Sequence, residues 1–446
     1  MSSRTLDMTK GSPGGLMIRF ALPMMVGNVF QQLYTVVDTM VVGKALGVGA
    51  LAALGACDWL YWLLISMVQG LTQGFSVLMA QAFGAKETEK LRHVVGLSAV
   101  LCAVSTGLLL ILGQLFMEPV LVLLQTPAEI LGSALLYLRI MCAGLPILMI
   151  YNLLACILRS LGDSKTPLYA MITACFVNIA LDLVFVLAFR WGIAGAAAAS
   201  LTAQAASAAI CLVRLAKMEE MQLRREHLRR DWRLTGNLLR LGGSMAFQFM
   251  IIAIGGLAVQ FVVNGFGVIF IAGFTATNKL YGILEIAATS FGFAIVTYVG
   301  QNLGAGRMDR IRQGQKWSYL LAIGTSLIIS AAMLIFGKAI LGSFLSGTPE
   351  EFDSALDIAY RYLQFMSLGL PLLYVLYVVR SSLQGLGNAF YPFISGVAEL
   401  LVRVTVAMTL PALVGTEGIF FAEILAWLGA DIVLLTGWFV TLRKHR

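Results

Sequence analysis

Residues Val94–Phe116 read VVGLSAVLCAVSTGLLLILGQLF, a run that contains no charged side chain. An α-helix of roughly 20 such residues crosses the hydrocarbon core of a bilayer. Outward from this stretch the same signature recurs along the chain. It marks twelve spans: Leu16–Met40, Val48–Ser76, Val94–Phe116, Ile130–Leu158, Pro167–Phe189, Ile193–Leu215, Leu238–Val263, Val268–Val299, Trp317–Phe336, Ile358–Leu383, Pro392–Leu413 and Ile419–Leu442. Hydrophobic residues make up 59% of the chain and charged residues 12%, against about 25% charged in soluble domains. A surface that poor in polar groups cannot cover a water-soluble globule of this length. The predicted fold is therefore an all-α integral membrane protein of twelve transmembrane helices. Little sequence lies outside the runs, which leaves no room for a soluble catalytic domain. The first run is long and lacks a small-residue cleavage site, so it reads as a retained span.

The six cysteines (Cys57, Cys102, Cys142, Cys156, Cys175 and Cys211) fall inside apolar runs with no Cys-x-x-Cys pairing and read as small core residues. The three histidines, His93, His227 and His445, sit in loops or at the tail, a poor arrangement for a metal. The net charge of +8 raises nucleic acid as a partner, but its placement argues against it. With a cytoplasmic N-terminus, 24 of the 31 Lys and Arg fall on the inner side, Arg380 counted among them, and 5 on the outer. Lys279 and Arg403 remain buried. The positive-inside rule then places both termini in the cytoplasm of a plasma membrane. The basic run Arg224–Arg233 reads as an anchor against anionic membrane lipid.

The chain repeats itself. Gln81-Ala-Phe-Gly-Ala-Lys, with Leu91-Arg92 following, matches Gln301-Asn-Leu-Gly-Ala-Gly, with Ile311-Arg312 following, at an offset of 220. Gly47, Ala52, Ala56 and Tyr61 meet Gly267, Ala272, Ala276 and Tyr281 at the same offset. At an offset of 225, Gly144-Leu-Pro146 meets Gly369-Leu-Pro371, and Pro167 meets Pro392. Six spans in each half make the repeat parallel, giving two pseudo-symmetric six-helix bundles. The expected boundaries are residues 1–215 for the first lobe, 216–237 for a basic cytoplasmic linker and 238–446 for the second lobe. Two lobes that rock about a cleft are what alternating access requires.

Gln31-Gln-Leu-Tyr-Thr-Val-Val-Asp38-Thr-Met-Val-Val-Gly43, then Gly49-Ala-Leu-Ala-Ala, resembles the first two helices of the multidrug and toxic compound extrusion (MATE) family. Gln81-x-Phe-Gly-Ala, Leu161-Gly-Asp-Ser-Lys-Thr-Pro167 and Asn178-x-x-x-Asp182 fit the same family, and the likeness runs over nearly the whole chain. It implies a V-shaped cavity between two lobes and export of small organic, often cationic, compounds. It further implies a drive from proton or sodium entry. An integral-membrane enzyme would need a nucleophile–base pair or metal ligands, and with no histidine inside a span neither enzymatic activity nor a cofactor besides the coupling ion is expected. Asp38, Asn178 and Asp182 match family positions linked to cation coupling, and Ser200 matches more loosely. Some branches carry a cation-binding acid in span 7. Here that span offers Gln248 but no carboxylate, which favours the DinF-like over the NorM-like branch.

The residues support the same site on their own chemistry. A charge at mid-bilayer costs about 2.5–3.5 kcal/mol on insertion scales, so each needs a partner or a role. Asp38 lies ~8 Å and Asp182 ~12 Å inside the outer ends of their spans at 1.5 Å per residue, with Ser200 at a similar depth. Asn178 and Asp182, four apart, share one helix face. Carboxylate, amide and hydroxyl oxygens together suit either a proton or a sodium ion. Gln31, Tyr34 and Asp38 share one side of span 1, where the first two are candidate substrate contacts. Lys279 and Glu285 of span 8 are further candidates, with Gln248 beside them. Pro23 removes a backbone hydrogen bond and is a candidate hinge. Glu399 and Arg403, spaced i, i+4, read as a structural ion pair. Asp58, Glu423 and Asp431 receive no role.

Two other readings compete with an exporter that functions as a monomer. A flippase for lipid-linked oligosaccharide would need a cluster of cavity Arg or Lys for the diphosphate, and only Lys279 and Arg403 lie deep. A non-transporting scaffold or receptor gives the repeat and the acid pair no purpose.

Overall fold

The computed structural model describes residues 5–124, 126–345 and 348–444, and within them the chain is helical with no strand. It divides into two compact units. The first runs from Leu22 to Ala246, with the N-terminal residues up to Asp7. It holds most of α1 (Pro13–Leu46), all of α2 (Val48–Gly84), α3 (Thr88–Leu123), α4 (Ala128–Ala143), α5 (Leu145–Ser160), α6 (Lys165–Asp182) and α7 (Gly192–Ala216), and the start of α8 (Trp232–Asn264). The second unit takes the chain from Phe247 onward together with Met8–Ala21. It holds the rest of α8, then α9 (Val268–Gly304), α10 (Met308–Gly342), α11 (Pro349–Gly385), α12 (Phe390–Val414) and α13 (Phe421–Lys444).

Among the described residues ten helices are long and apolar enough to cross a membrane, and the bent pair α4–α5, taken as one span, makes an eleventh. The apolar run Ile130–Leu158 is expected to form one span. In the structure it bends by 46° at Gly144, where Leu145 and Pro146 begin the next helix. The 34-residue α1 falls short of those eleven on apolarity and not on length, because Asn28, Gln31, Gln32 and Asp38 interrupt its hydrophobic run. With it the twelve spans are complete.

The faces of α3 show what solvent the protein was built for. Val104, Leu108, Ile111 and Leu115, spaced four, three and four apart, are all more than half exposed. The opposite face buries Ser98 and Thr106. A soluble helix presents the reverse pattern. Here the apolar stripe faces lipid, and the Ser98 hydroxyl is satisfied inside by the Val94 carbonyl at 2.7 Å.

Small residues set how closely helices approach inside the first unit. A Cβ on Gly74 would stand 2.4 Å from the Gly242 Cα, and one on Gly70 would stand 2.4 Å from the Ala246 Cα. Both obstacles are backbone, so no side-chain rotation relieves them. This contact explains why the first turns of α8 join the first unit, which extends beyond the expected lobe boundary at residue 215. Gly74→Val is expected to destabilise the purified protein by about 1–3 kcal/mol, the usual cost of overpacking. A lowered thermal unfolding midpoint in detergent would register it, whereas Gly107→Ala, at a position open to space, serves as the control.

The repeat is visible in the backbone. Gly47 and Gly267, 220 apart, precede α2 and α9 with φ of 84° and 92°. Gly162 and Gly387, 225 apart, share φ of 86° and 77°. Such angles favour glycine because it lacks a Cβ. At the same spacing Arg190 (φ 57°) corresponds to Gly415 (φ 87°).

His227, read from sequence as a loop residue, is buried. Its Nδ1 accepts from the Arg224 backbone N–H at 2.9 Å, and its Nε2 lies 2.9 Å from Glu89 Oε2. Arg92 donates to the Glu219 and Glu220 carbonyls, so the connection is docked on α3. Asp231 then caps α8 by accepting from the Leu234 and Arg233 backbone N–H groups, which hold its carboxyl below the usual carboxylate range. His445 lies outside the described residues, and so does the side chain of Asp58.

Candidate functional site

The first unit brings Asp38 of α1, Asn178 and Asp182 of α6 and Ser200 of α7 to one place. Asp182 has no exposed surface, Asn178 is 1% and Ser200 8% exposed, while Asp38 is half-buried. The Asn178 Nδ2 donates to Ser200 Oγ at 3.3 Å. The Asp38 and Asp182 carboxyls lie side by side within hydrogen-bonding reach. Among the described residues no N–H or hydroxyl donor meets either oxygen of Asp182, and the Asn178 Oδ1 is also left without a donor.

This is a hungry arrangement. Two carboxylates that face each other away from water repel, and each buried oxygen without a donor carries a desolvation cost of about 1–3 kcal/mol or more. A proton shared by the pair, or a cation among the carboxylate, amide and hydroxyl oxygens, removes both penalties. Helix periodicity places the groups, because Asn178 and Asp182 are one turn apart and Ser200 faces them from the next helix. Beyond Asp182 the chain leaves α geometry. Leu183–Ala188 forms a π turn, closed by Phe189 N–H donating to the Val184 carbonyl at 2.8 Å. Breaks of this kind concentrate at functional sites.

Other candidates lie around this centre. Tyr34 is half-buried with its hydroxyl in reach of Gln31, which is itself exposed. Sequence reading missed Tyr61 of α2 and Gln204 of α7, which stand within reach of each other and extend the polar lining. Gln204 sits one turn after Ser200, a spacing that was available as a signal. α1 runs unbroken through the half-buried Pro23.

In the second unit the expected candidates separate. Lys279, read as buried, is exposed, since Ala272, Thr275 and Lys279 follow a stripe opposite the packed face of Phe274, Thr277 and Leu280. Glu285 is half-buried and accepts from the Tyr377 hydroxyl. Gln248 is buried against Gly396, and with its amide oxygen toward Arg380 it accepts from Nε at 2.8 Å and Nη1 at 3.2 Å. Arg380 was counted on the inner surface. It is instead buried, donating to Glu399 Oε2 at 2.9 Å. Arg403 Nη2 donates to Glu399 Oε1 at 2.8 Å and to Glu423 Oε2 at 2.7 Å. Glu399 and Arg403 therefore form one edge of a larger lattice that the i, i+4 spacing alone does not reveal.

The model of the MatE family matches residues 23–184 and again residues 244–409. The two matches cover most of the chain and coincide with the two repeats. This chain belongs to the MatE family. It is 30% identical over 419 residues to the probable multidrug resistance protein YoeA of Bacillus subtilis strain 168, covering 91% of this chain and 89% of that protein. Among solved structures, a MOP-superfamily transporter of Pyrococcus furiosus superposes with a TM-score of 0.92 at 20% identity, over 100% of both chains. An outward-facing MATE multidrug resistance transporter of the MOP superfamily gives 0.91 at 20% identity, again over 100% of both. The MatE fold is thus the twelve-helix, two-bundle architecture expected from the sequence, and the family is one of cation-coupled membrane transporters for small molecules.

If the MatE site loads its cation where the acids meet, its neighbours tune the affinity. Ser200→Ala removes the hydroxyl that receives the Asn178 amide. The expected result is about a fivefold weaker half-saturating cation concentration for transport, equivalent to about 1 kcal/mol, with maximal transport retained.

Proposed function

We propose that this MatE-family chain is an antiporter of the bacterial inner membrane that exports small organic, often cationic, compounds by alternating access. Inward flow of protons or sodium ions drives it, and Asp38, Asn178, Asp182 and Ser200 load the coupling ion. The carrying observation is the Asp182 carboxyl, sealed from water beside Asp38 with no N–H or hydroxyl donor among the described residues. Position by position, the second repeat offers Ala258 and Ala407 where the first has Asp38 and Asp182. This supports coupling through the first half, as in the DinF-like branch. With the buried Arg380 set aside, the 23-to-5 distribution of basic residues supports cytoplasmic termini. Gln31, Tyr34 and Glu285 remain substrate-contact candidates, with Lys279 on the exposed side of α9. The flippase alternative loses ground because both deep arginines, Arg380 and Arg403, are engaged by Glu399 and are not free for a diphosphate. Both acids lie within one chain, which supports function as a monomer.

The test uses purified protein in liposomes, with an imposed pH gradient in one set and a sodium gradient in another, following efflux of a fluorescent organic cation such as ethidium. Acceleration by one gradient is the expected result and names the ion. Equal rates with and without either gradient would overturn the proposal.

A further inference from the structure

The lattice in the second unit is close to balanced as far as it is hydrogen-bonded. Arg380 and Arg403 carry two positive charges, and Glu399 and Glu423 carry two negative ones. Among the described residues two further acids sit with this cluster, Glu285 and Asp431. Glu285 has the Tyr377 hydroxyl. Asp431 has nothing of the kind. It lies near the middle of α13, is 3% exposed, and neither carboxyl oxygen meets a donor.

The groups in electrostatic reach of Asp431 are Arg380 of α11, Glu399 of α12 and Tyr319 of α10. Arg380 does not neutralise it. Its Nη2 is given to Glu399 and to Ser395 Oγ at 3.3 Å, and its Nε and Nη1 to the Gln248 oxygen. Glu399 adds like charge. Arg403 and Glu423 are committed to each other, and Gln315 of α10 accepts from Ser382 at 2.6 Å. An ionised Asp431 would be a buried anion with no hydrogen bond, the costliest state a carboxyl can occupy.

We propose that Asp431 is a second proton-binding site, separate from the acid pair of the first unit. Its ligand is a proton and not a metal ion. Sodium needs several oxygen ligands and would sit beside the Arg380 guanidinium, whereas a proton needs one oxygen and leaves no net charge. The reaction is simple: the carboxylate takes a proton to become the neutral acid and returns it when water or a cation reaches the site. The hydrogen-bonded charges of the buried lattice cancel among themselves, so proton binding changes the charge at Asp431 alone. This inference does not depend on which ion the first-unit pair carries.

The test is pH-titrated infrared difference spectroscopy of the purified full-length protein, which reads the carbonyl stretch of protonated carboxyls and needs no substrate. Wild type is expected to show separable carboxyl components. Asp431→Asn removes one, which both Asp182→Asn and Glu285→Gln leave in place. An Asp431→Asn spectrum identical to wild type overturns the proposal. Should that variant fail to fold, Asp431→Glu is expected to shift the frequency of the same component, and 13C-aspartate labelling of wild type to displace it; absence of any shift on labelling counts against the proposal. In liposomes the Asp431→Asn variant should remain gradient-driven with one proton fewer moved per substrate. Loss of all gradient drive in wild type would instead strike at the first-unit reading while leaving the infrared result intact.

Discussion

Asp182→Asn is expected to lower gradient-driven efflux by ~5- to 150-fold, the span of a coupling free energy of about 1–3 kcal/mol, while the protein still folds and binds its organic substrate. The physical reason lies in what the substitution replaces. An ion drives a conformational change only through a difference in its affinity for the two states. On the proposed assignment Asp182 contributes to that difference because, without the ion, it is a fully buried carboxyl beside a second carboxyl, with no N–H or hydroxyl donor among the described residues. An amide of the same shape cannot bind a proton at this pH range and carries no charge for sodium to cancel. It also relieves the repulsion from Asp38, so the variant should unfold at the same or a higher temperature than wild type. That combination separates coupling from packing. Asp38→Asn is expected to behave alike, and the double variant little worse than either single one, since the two act on one ion. Efflux unchanged in both single variants, measured in liposomes under the driving gradient, would end the coupling assignment.

The second large effect is on stability. Glu399→Gln removes the carboxylate that Arg380 and Arg403 share, one guanidinium on each oxygen at 2.9 and 2.8 Å. Breaking a buried pair from one side costs about 3–5 kcal/mol, because the charges left behind stay buried. Here Arg403 would keep Glu423, and Arg380 would lose the acid it donates to. By contrast, the exposed Arg361–Glu417 contact at 2.6 Å is screened by solvent, and its loss should fall within about 1 kcal/mol. The measurement is the thermal unfolding midpoint of each purified variant in one detergent. A midpoint for Glu399→Gln no lower than that for Glu417→Gln would show that the lattice does not hold the second unit together.

Much of this was legible from the chain, for identifiable reasons. Membrane spans announce themselves because a bilayer imposes length and apolarity together, and the repeat showed in glycines whose positive φ leaves little freedom to substitute. Asn178 and Asp182 could be paired because a helix turn fixes residues four apart. What the sequence concealed were contacts between helices distant in the chain. Arg380 looked like an inner-surface charge because its partner, Glu399, belongs to the next helix, and Glu423 and Asp431 gained meaning only beside them. The bend at Gly144 was hidden for a different reason. The same Gly-Leu-Pro triplet occurs at Gly369, yet α11 runs through it unbroken. Local sequence permits the bend, and the surrounding packing decides whether it happens. Lys279 misled because depth along a helix was read as burial, although only the face it occupies determines that.

The π turn after Asp182 has a consequence for how the duplicated halves relate. No such turn interrupts α12, which continues as regular helix past Ala407 to Val414. Each residue of an α-helix advances the direction of a side chain by about 100°, so one residue of extra slack re-aims everything beyond it. The halves are consequently not interchangeable cassettes. A chimera with α12 in the place of α6 would lose the acid and also mis-set the rotational phase of the connection into α7, and restoring an aspartate at position 407 alone would leave that phase uncorrected.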